Sequence, residues 1–441
     1  MSLLIRGGTV LTLNDRFDII EGDVSITDGH IAAVAPIITE PHDRVIDARD
    51  GYVLPGFIQT HIHLCQTLFR GYADDLPLMD WLRQRVWPME AAHTPATLRA
   101  ATRLAATELL LSGTTAVLTM ETVHDTDAVF DAVAESGLRA TIGKCMMDFD
   151  AQVPKRLQEG TRASLDESLA LRTRWDGAAN GRLRAAFAPR FAVSCSRELL
   201  EAVASLSDQH HALVHTHASE SRDEIAIVRQ ISGGLTNMAY LASLRLASPH
   251  LCAAHCVHVD ESDQQILADH DVKVLHCPGS NLKLGSGIAP VPEMRARGIT
   301  VSLGADGAAC NNRLDMFEEM HLAAVLQAMR HQPGVLPARD VLWMATRSGA
   351  RTLGLEHELG SIEVGKRADL IIVDRDQPHM APGPDPYSTL VYSARGSDVR
   401  TTIVDGEVLV SDFLPVRVDR AEIVAEARAA ARDLAARCIM I

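Results

Sequence analysis

No stretch of this chain reaches the roughly 20 consecutive apolar residues that a bilayer-spanning helix needs, although 47% of its 441 residues are apolar. Basic residues are in deficit. The 42 Lys and Arg stand against 57 Asp and Glu, a formal charge of −15, and a surface of that sign argues against nucleic acid or an anionic membrane as partner. No Cys-x-x-Cys pair occurs. The eight cysteines, Cys65, Cys145, Cys195, Cys252, Cys256, Cys277, Cys310 and Cys438, are scattered, most of them in apolar runs. That usage reads as reduced, buried thiols in a cytoplasmic protein. The opening MSLLIRGGTVLTLND alternates like a strand and does not read as a signal peptide. Repeats of solenoid period and low-complexity tracts are also missing. At 22% charged residues the chain is not composed like a disordered one.

What is present is a change of texture along the chain. Its length suits one large unit plus a smaller one. Residues 1–55 and 360–415 read as short strands with Gly, Asp and Asn turns: LLIRGGTVLT, DVSITDG and HIAAVAP early, GSIEVGKRADLIIVD and TTIVDGEVLVSD late. The two segments are expected to pair into one small β-sandwich. Between them, over 56–359, apolar β-type runs alternate with helix-like segments. The runs are GFIQTHIH, TTAVLTM, RATIGKC, RAAFAPR, ALVHTH, LCAAHC, VKVLHC and VSLGAD. Eight such units predict an α/β fold, a (β/α)₈ TIM barrel. The Ala-rich stretch from Asp419 to Arg437, within 416–441, predicts a C-terminal helix.

Barrels of this kind carry their active sites at the C-terminal ends of the strands. Five of the eight runs place a histidine or aspartate there: His63, His217, His255, His276 and Asp306. His61 and His63 are two apart in a strand, so both imidazoles face one side. With His217 and Asp306 they make a mixed nitrogen and oxygen set for one divalent ion. That set suits Zn²⁺, with Fe²⁺ as the rival. Cys65, Cys256 and Cys277 lie near these histidines, but the histidine set suffices without them. Asp306 could alternatively be a helix cap. Glu220 follows His217 by three residues and is placed to move a proton from an attacking water to a leaving nitrogen. Its alternative is a solvated charge in the run Glu220-Ser221-Arg222-Asp223-Glu224. His255 is expected to orient the hydroxide or stabilise an oxyanion. No lysine ends the run RAAFAPR, so a bridging modified lysine and a second ion are not expected.

Together, Gly56-Phe57-Ile58-Gln59-Thr60-His61-Ile62-His63, His217-Ala218-Ser219-Glu220, Ala254-His255-Cys256 and Gly304-Ala305-Asp306 resemble the amidohydrolase superfamily, in its mononuclear aminohydrolase branch. The tail Gly360 to Leu370 is similar as well, so the resemblance spans nearly the whole chain. It implies hydrolytic removal of an amino group from a heterocycle. Three subgroups compete. Guanine deaminases are resembled by Gly143 to Asp148, Pro189 to Ser196 and Ser219 to Glu224; there Gln66 and Arg190 would read the base. Arg offers donors only and Gln offers both kinds, which suits a lactam edge. Deaminases of S-adenosylhomocysteine, methylthioadenosine and related adenosines are resembled by Thr67 to Leu82, and Glu90 falls where they hold ribose hydroxyls. Those enzymes show His at the place of Arg190 and an apolar residue at that of Gln66, which ranks guanine-like lactams first. Triazine hydrolases are resembled by His63 to Leu68 and Leu284 to Met294, although this chain keeps the acid, Glu220.

Trp81 and Trp87 could stack on a planar base or simply pack a helix on the barrel. The loops at 64–95 and 145–165 are expected to choose the substrate. The expected partners are a small heterocycle and further copies of the chain. Two other classes stay open: a non-catalytic binding scaffold, and a cyclic-amide hydrolase, which would need the lysine-bridged site.

Overall fold

The computed structural model describes residues 2–149 and 153–440. Each of the eight apolar runs forms one strand of a parallel sheet: Phe57–His63, Thr114–Met120, Arg139–Met146, Leu183–Pro189, Val214–Ala218, Leu251–His255, Lys273–His276 and Val301–Leu303. They follow one another in sequence order around the sheet. The eighth run closes it: Val301–Leu303 pairs with the seventh strand, and Asp306–Gly307 pairs with the first at Ile62 and His63. Gly304 makes that crossing possible. A Cβ there would sit 2.5 Å from the carbonyl oxygen of His61, closer than any side chain tolerates.

The strands read as continuous apolar runs because both faces are covered, by the barrel interior on one side and helices on the other. Every residue of Thr114–Met120 and of Arg139–Met146 is buried. The helices start where the local chemistry caps them. Thr94 and Thr97 cap Pro95–Leu111 reciprocally, and Ser221 with Glu224 does the same for Arg222–Ile231. Each such cap is worth about 1 kcal/mol.

The two flanking β segments, far apart in sequence, share a second sheet of nine strands. Gly51–Pro55 lies between Ser2–Leu11, its parallel neighbour, and Leu370–Asp374, its antiparallel one. Leu3, Ile5, Val24, Val53, Ile372 and Ile403 meet in its core. One expectation needs correction. The tail GSIEVGKRADLIIVD is a strand only over Leu370–Asp374. Ahead of it the chain turns at Gly360 and Gly365, whose φ values of 84° and 92° do not continue a ladder. The C-terminal helix spans Arg420–Met440, packs on Pro95–Leu111 and is joined to it by the Arg103–Glu426 ion pair. Among the described residues no helix is long and apolar enough to cross a membrane.

A buried ion pair fastens the barrel to this second sheet. Arg139, opening the third barrel strand, donates to both carboxylate oxygens of Asp369 at 2.8 and 3.0 Å. The backbone N–H of Asp405 donates to the same carboxylate at 2.7 Å. Asp369→Asn keeps the volume but removes the carboxylate that meets the buried guanidinium at hydrogen-bond distance, leaving Asp405 at 3.6 Å as its charge partner. The expected loss is about 3–5 kcal/mol, read as a lower midpoint of urea unfolding. An unchanged midpoint would show that this pair does not fasten the two parts.

Candidate active site

His61 and His63 project from the end of the first barrel strand into the barrel mouth, and both are buried. His217 reaches the same point from the fifth strand, and Asp306 from the turn after the eighth. One ligand atom from each of the four lies within 4.8 Å of every other. The tautomers follow from the partners. His63 Nδ1 lies 2.7 Å from the carbonyl oxygen of Met120, and His217 Nδ1 lies 2.7 Å from that of Arg190. A carbonyl only accepts, so each Nδ1 donates and each Nε2 is left to point inward. The two Nε2 atoms are 3.4 Å apart. His61 Nε2 is buried 3.2 Å from Asp306 Oδ1 yet forms no hydrogen bond. Two lone pairs at that separation repel unless something positive lies between them. Without a metal it would be a proton on His63: burial, the largest influence, lowers its pKa, but the hydrogen bond and the charge of Asp306, with the Met120 carbonyl, together outweigh it and raise the pKa. Burial pushes His61 down to about 4 against the pull of Asp306, and holds His217 well below its ordinary range. Both rings are therefore neutral near pH 7. Neutral imidazoles with one carboxylate, converging on one point, fit a divalent metal ion.

Asp306 is not a helix cap. Ser280 Oγ donates to its Oδ2 at 2.7 Å and the Gly307 N–H to its Oδ1 at 2.8 Å. Its φ is 62°, and Ser219 and His255 are also left-handed at 55° and 72°. Such backbone costs a non-glycine residue about 1–3 kcal/mol and concentrates at functional sites. The cysteines near the cluster are buried with their thiols pushed up by burial, so none offers a thiolate. His276 keeps the strand-end phase but stays buried, with neither ring nitrogen partnered.

Glu220 and His255 stand beside the cluster. His255 Nδ1 lies 2.9 Å from Asn281 Oδ1, which accepts its proton and leaves Nε2 facing the site. That Nε2 is 3.4 Å from Glu220 Oε2 and 3.9 Å from Asp306 Oδ2. Burial, with Asp306 and Glu224 adding to it, raises the Glu220 carboxyl well above its ordinary range. Glu220 is thus a buried acid and not a solvated charge. Glu224 holds its loop by accepting from the N–H groups of Ser219 and Glu220 at 3.1 and 2.6 Å.

A narrow cavity opens over the cluster. Gln66, Trp81, Arg190 and Phe191 line it with Glu220, and Leu78, Leu82 and Leu284 add apolar wall. A π-helical turn at Leu82–Val86 follows the short helix Leu78–Trp81 that carries the tryptophan. Trp87 is not at this cavity. It is fully buried in the apolar core. Glu90 stands behind the lining residues. It accepts from Arg190 Nη1 at 2.6 Å and Nη2 at 3.3 Å, and from Gln66 Nε2 at 3.0 Å. All three are buried. Of the two loops expected to choose the substrate, 64–95 covers the cavity, and 150–152 of the other lie outside the described residues.

The supporting residues escaped the sequence reading. His215 Nε2 lies 2.6 Å from His61 Nδ1. His215-x-His217 repeats the spacing of His61-x-His63, and that repeat was the available signal. Glu121 accepts from the N–H groups of Leu64 and Cys65 at 3.1 and 3.0 Å, pinning the turn after His63. Burial pushes its carboxyl to about 7. Lys144 lies two residues before the end of the third strand and pairs with Glu159 at 2.7 Å.

A family model described as the amidohydrolase family matches residues 52–409. The 5'-deoxyadenosine deaminase of Methanosarcina mazei is 41% identical over 439 residues, covering 99% of each chain. The 5-methylthioadenosine/S-adenosylhomocysteine deaminase of Pelotomaculum thermopropionicum is 39% identical over 433 residues, covering 97% of each. Among solved structures, an adenosine deaminase from Xanthomonas campestris with bound zinc superposes with a TM-score of 0.93 at 33% identity, covering 98% of each chain. A guanine deaminase from C. acetobutylicum with bound guanine superposes with a TM-score of 0.83 at 25% identity, over 92% of this chain and 100% of that one.

If His215 orients His61 as a ligand, His215→Ala weakens zinc affinity by about 10–100-fold. Competition with a chromophoric chelator measures it, and an unchanged affinity would remove His215 from that role.

Proposed function

The chain belongs to the amidohydrolase family, and from that premise we propose that it is a zinc-dependent hydrolytic deaminase of adenosine-type nucleosides, with 5'-modified adenosines as its substrates. His61, His63, His217 and Asp306 would hold the ion. Zinc, when bound, supplies Lewis acidity that brings the pKa of a water to about 7. The remaining work falls to the chain itself. Asp306 takes a proton from the attacking water. His255, its Nδ1 tied to Asn281, offers Nε2 to orient that water toward the ring carbon bearing the amino group. Burial raises the Glu220 carboxyl well above its ordinary range, which favours the acid form that can give its proton to the adjacent ring nitrogen. The proton held by Asp306 then passes to the amino group, which leaves as ammonia while Glu220 takes back the hydroxyl proton as the ring carbonyl forms. Trp81 and Phe191 give the planar base an apolar, aromatic wall.

One observation carries the choice of base. A guanine-like lactam needs the donors of Arg190 and Gln66 at its carbonyl edge. Two of the five N–H donors of Arg190 and one of the two of Gln66 are already engaged by the Glu90 carboxylate, and the resulting buried pair is neutral overall, so little charge is left to draw a lactam edge. An adenine ring, which has no carbonyl, makes no such demand. The similarity to deoxyadenosine and methylthioadenosine deaminases over the full length supports the same reading and ranks it above the guanine-like lactam that the residue types at 66 and 190 suggest. The lactam reading keeps one support, since Arg190 and Gln66 line the cavity and Glu90 does not.

Ammonia release by the zinc-loaded protein tests the choice, with 5'-deoxyadenosine, methylthioadenosine, S-adenosylhomocysteine, adenosine, guanine, 8-oxoguanine and chlorinated triazines as substrates. Turnover is expected to favour the adenosines. Turnover confined to the lactams would overturn the assignment and return Arg190 and Gln66 to base reading. Glu220→Gln is expected to retain zinc and lose at least ~10²-fold in turnover; full activity would exclude Glu220 as the acid.

A further inference from the structure

The substrate cavity is too small for any substrate in the position its walls now hold. Its free volume is about 20 Å³, room for about one water, whereas small-molecule sites measure roughly 300–1,000 Å³. Leu78, Trp81, Leu82, Arg190 and Phe191 in its wall are each less than one-tenth exposed. A purine ring cannot pass them, so one wall has to move. Most of the wall is fixed to the barrel. Gln66 and Arg190 are tied to Glu90, Phe191 bridges to His217 through the backbone, and the N–H of Leu284 donates to the carbonyl of Ser280 at 2.9 Å.

Leu78, Trp81 and Leu82 are different, because they belong to a segment that leaves the barrel after its first strand. Phe69 ahead of it and Trp87 behind it are fully buried and anchor its ends. From Gly71 to Pro77 the chain forms neither helix nor strand, and Tyr72, Asp74 and Asp75 are exposed. Gly71 has a φ of 79°, with no atom within 4 Å of the place of a Cβ, so the chain can swivel there unobstructed. At the far end, Leu82–Val86 is the π-helical turn, a rare geometry that marks kinks and functional sites. The segment between these points is two-faced. Leu78, Met79, Trp81 and Leu82 are buried, while Asp80, Gln84 and Arg85 are exposed. In this position Trp81 Nε1 is buried without a partner, a cost that moving it to water removes.

A single lysine ties the tip of the segment to the barrel. Lys283 Nζ donates to the Asp74 carboxylate and to Asn312 Oδ1. Lys283 ends the helix Pro278–Lys283. The same helix sets Ser280 against Asp306 and Asn281 against His255. The segment therefore rests on the part of the rim that positions the reacting side chains. Both partners of the ion pair are partly exposed, so it biases the segment by no more than about fivefold and can be broken readily.

We propose that Gly71–Val86 is a lid, shut in this structure and latched by Asp74 and Lys283, which swings between its anchors Phe69 and Trp87 to admit substrate and release product. Shut, it keeps bulk water from the site while Glu220 acts. The lid rests on the catalytic site proposed above, but not on which base that site takes.

Tethering the lid tests this. Asp74→Cys/Lys283→Cys in a Cys438→Ser background is joined by a short bismaleimide; the other seven native cysteines are buried. Two rates are followed on the zinc-loaded full-length protein: zinc loss to dipicolinate, and ammonia release from 5'-deoxyadenosine. The tether is expected to slow both by at least about tenfold. The same variant capped with N-ethylmaleimide is expected to lose zinc no more slowly than the parent. Asp74→Asn, which removes only the latch, is expected to speed zinc loss by about two- to fivefold. Either rate unchanged by the tether would overturn the proposal. So would a cap that slows zinc loss as much as the tether, since bulk at the rim would then be the cause. If the parent releases ammonia from no adenosine, the substrate reading fails, and zinc loss alone decides for or against the lid.

Discussion

His63 and His217 face each other through Nε2 atoms 3.4 Å apart, and each ring is locked by a backbone carbonyl on its far side, so neither can turn away. His61 adds a third nitrogen and Asp306 a carboxylate oxygen. Neutral imidazoles do not choose this arrangement for their own sake. The barrel imposes it, through a first strand that places two histidines on one face and an eighth run that closes against that strand at His61. The crossing at Gly304 is what lets the eighth run come so near. Most of the remaining structure around the mouth serves to hold this convergence: His215 behind His61, Met120 behind His63, Arg190 behind His217, and Ser280 behind Asp306.

The same stiffness extends to the acid. Glu220 is buried, its carboxyl is raised, and its loop is held by a second buried carboxylate, Glu224. Four left-handed, non-glycine residues, Ser219, His255, Cys256 and Asp306, lie at the strand ends that carry this chemistry. Arg190 links the metal cluster to the substrate wall, since its carbonyl accepts from His217 and its guanidinium closes on Glu90. The first contact is made by the backbone and the second by the side chain, so a substitution at Arg190 changes the wall while the carbonyl behind His217 stays.

Most of the barrel and the four converging ligands were legible in the sequence. All eight apolar runs became strands, because a parallel barrel leaves little room for polar residues except at the ends, and those ends are where the chemistry stands out. The second sheet was legible as two halves that pair. Side chains that act on other side chains were not. His215 reads as one more residue in an apolar run, and Asn281 and Ser280 carry no local signal. Their roles depend on distances between strands that no local pattern encodes. Trp81 and Trp87 differ by six positions in one segment, and only the π-helical turn between them decides which faces the cavity. Glu90, Gln66 and Arg190 were each visible as separate residues, but their closure on one another was not, and that closure is what supports the proposed adenosine over a lactam.

The central claim is that one metal ion, held by His61, His63, His217 and Asp306, makes this barrel a hydrolase. Titrating chelator-stripped protein with Zn²⁺ while following ammonia release from 5'-deoxyadenosine tests it most directly. The account predicts no release without the ion, and a rise that is linear and ends at one equivalent. Full activity in the stripped protein, or a rise that ends only at two equivalents, would contradict it.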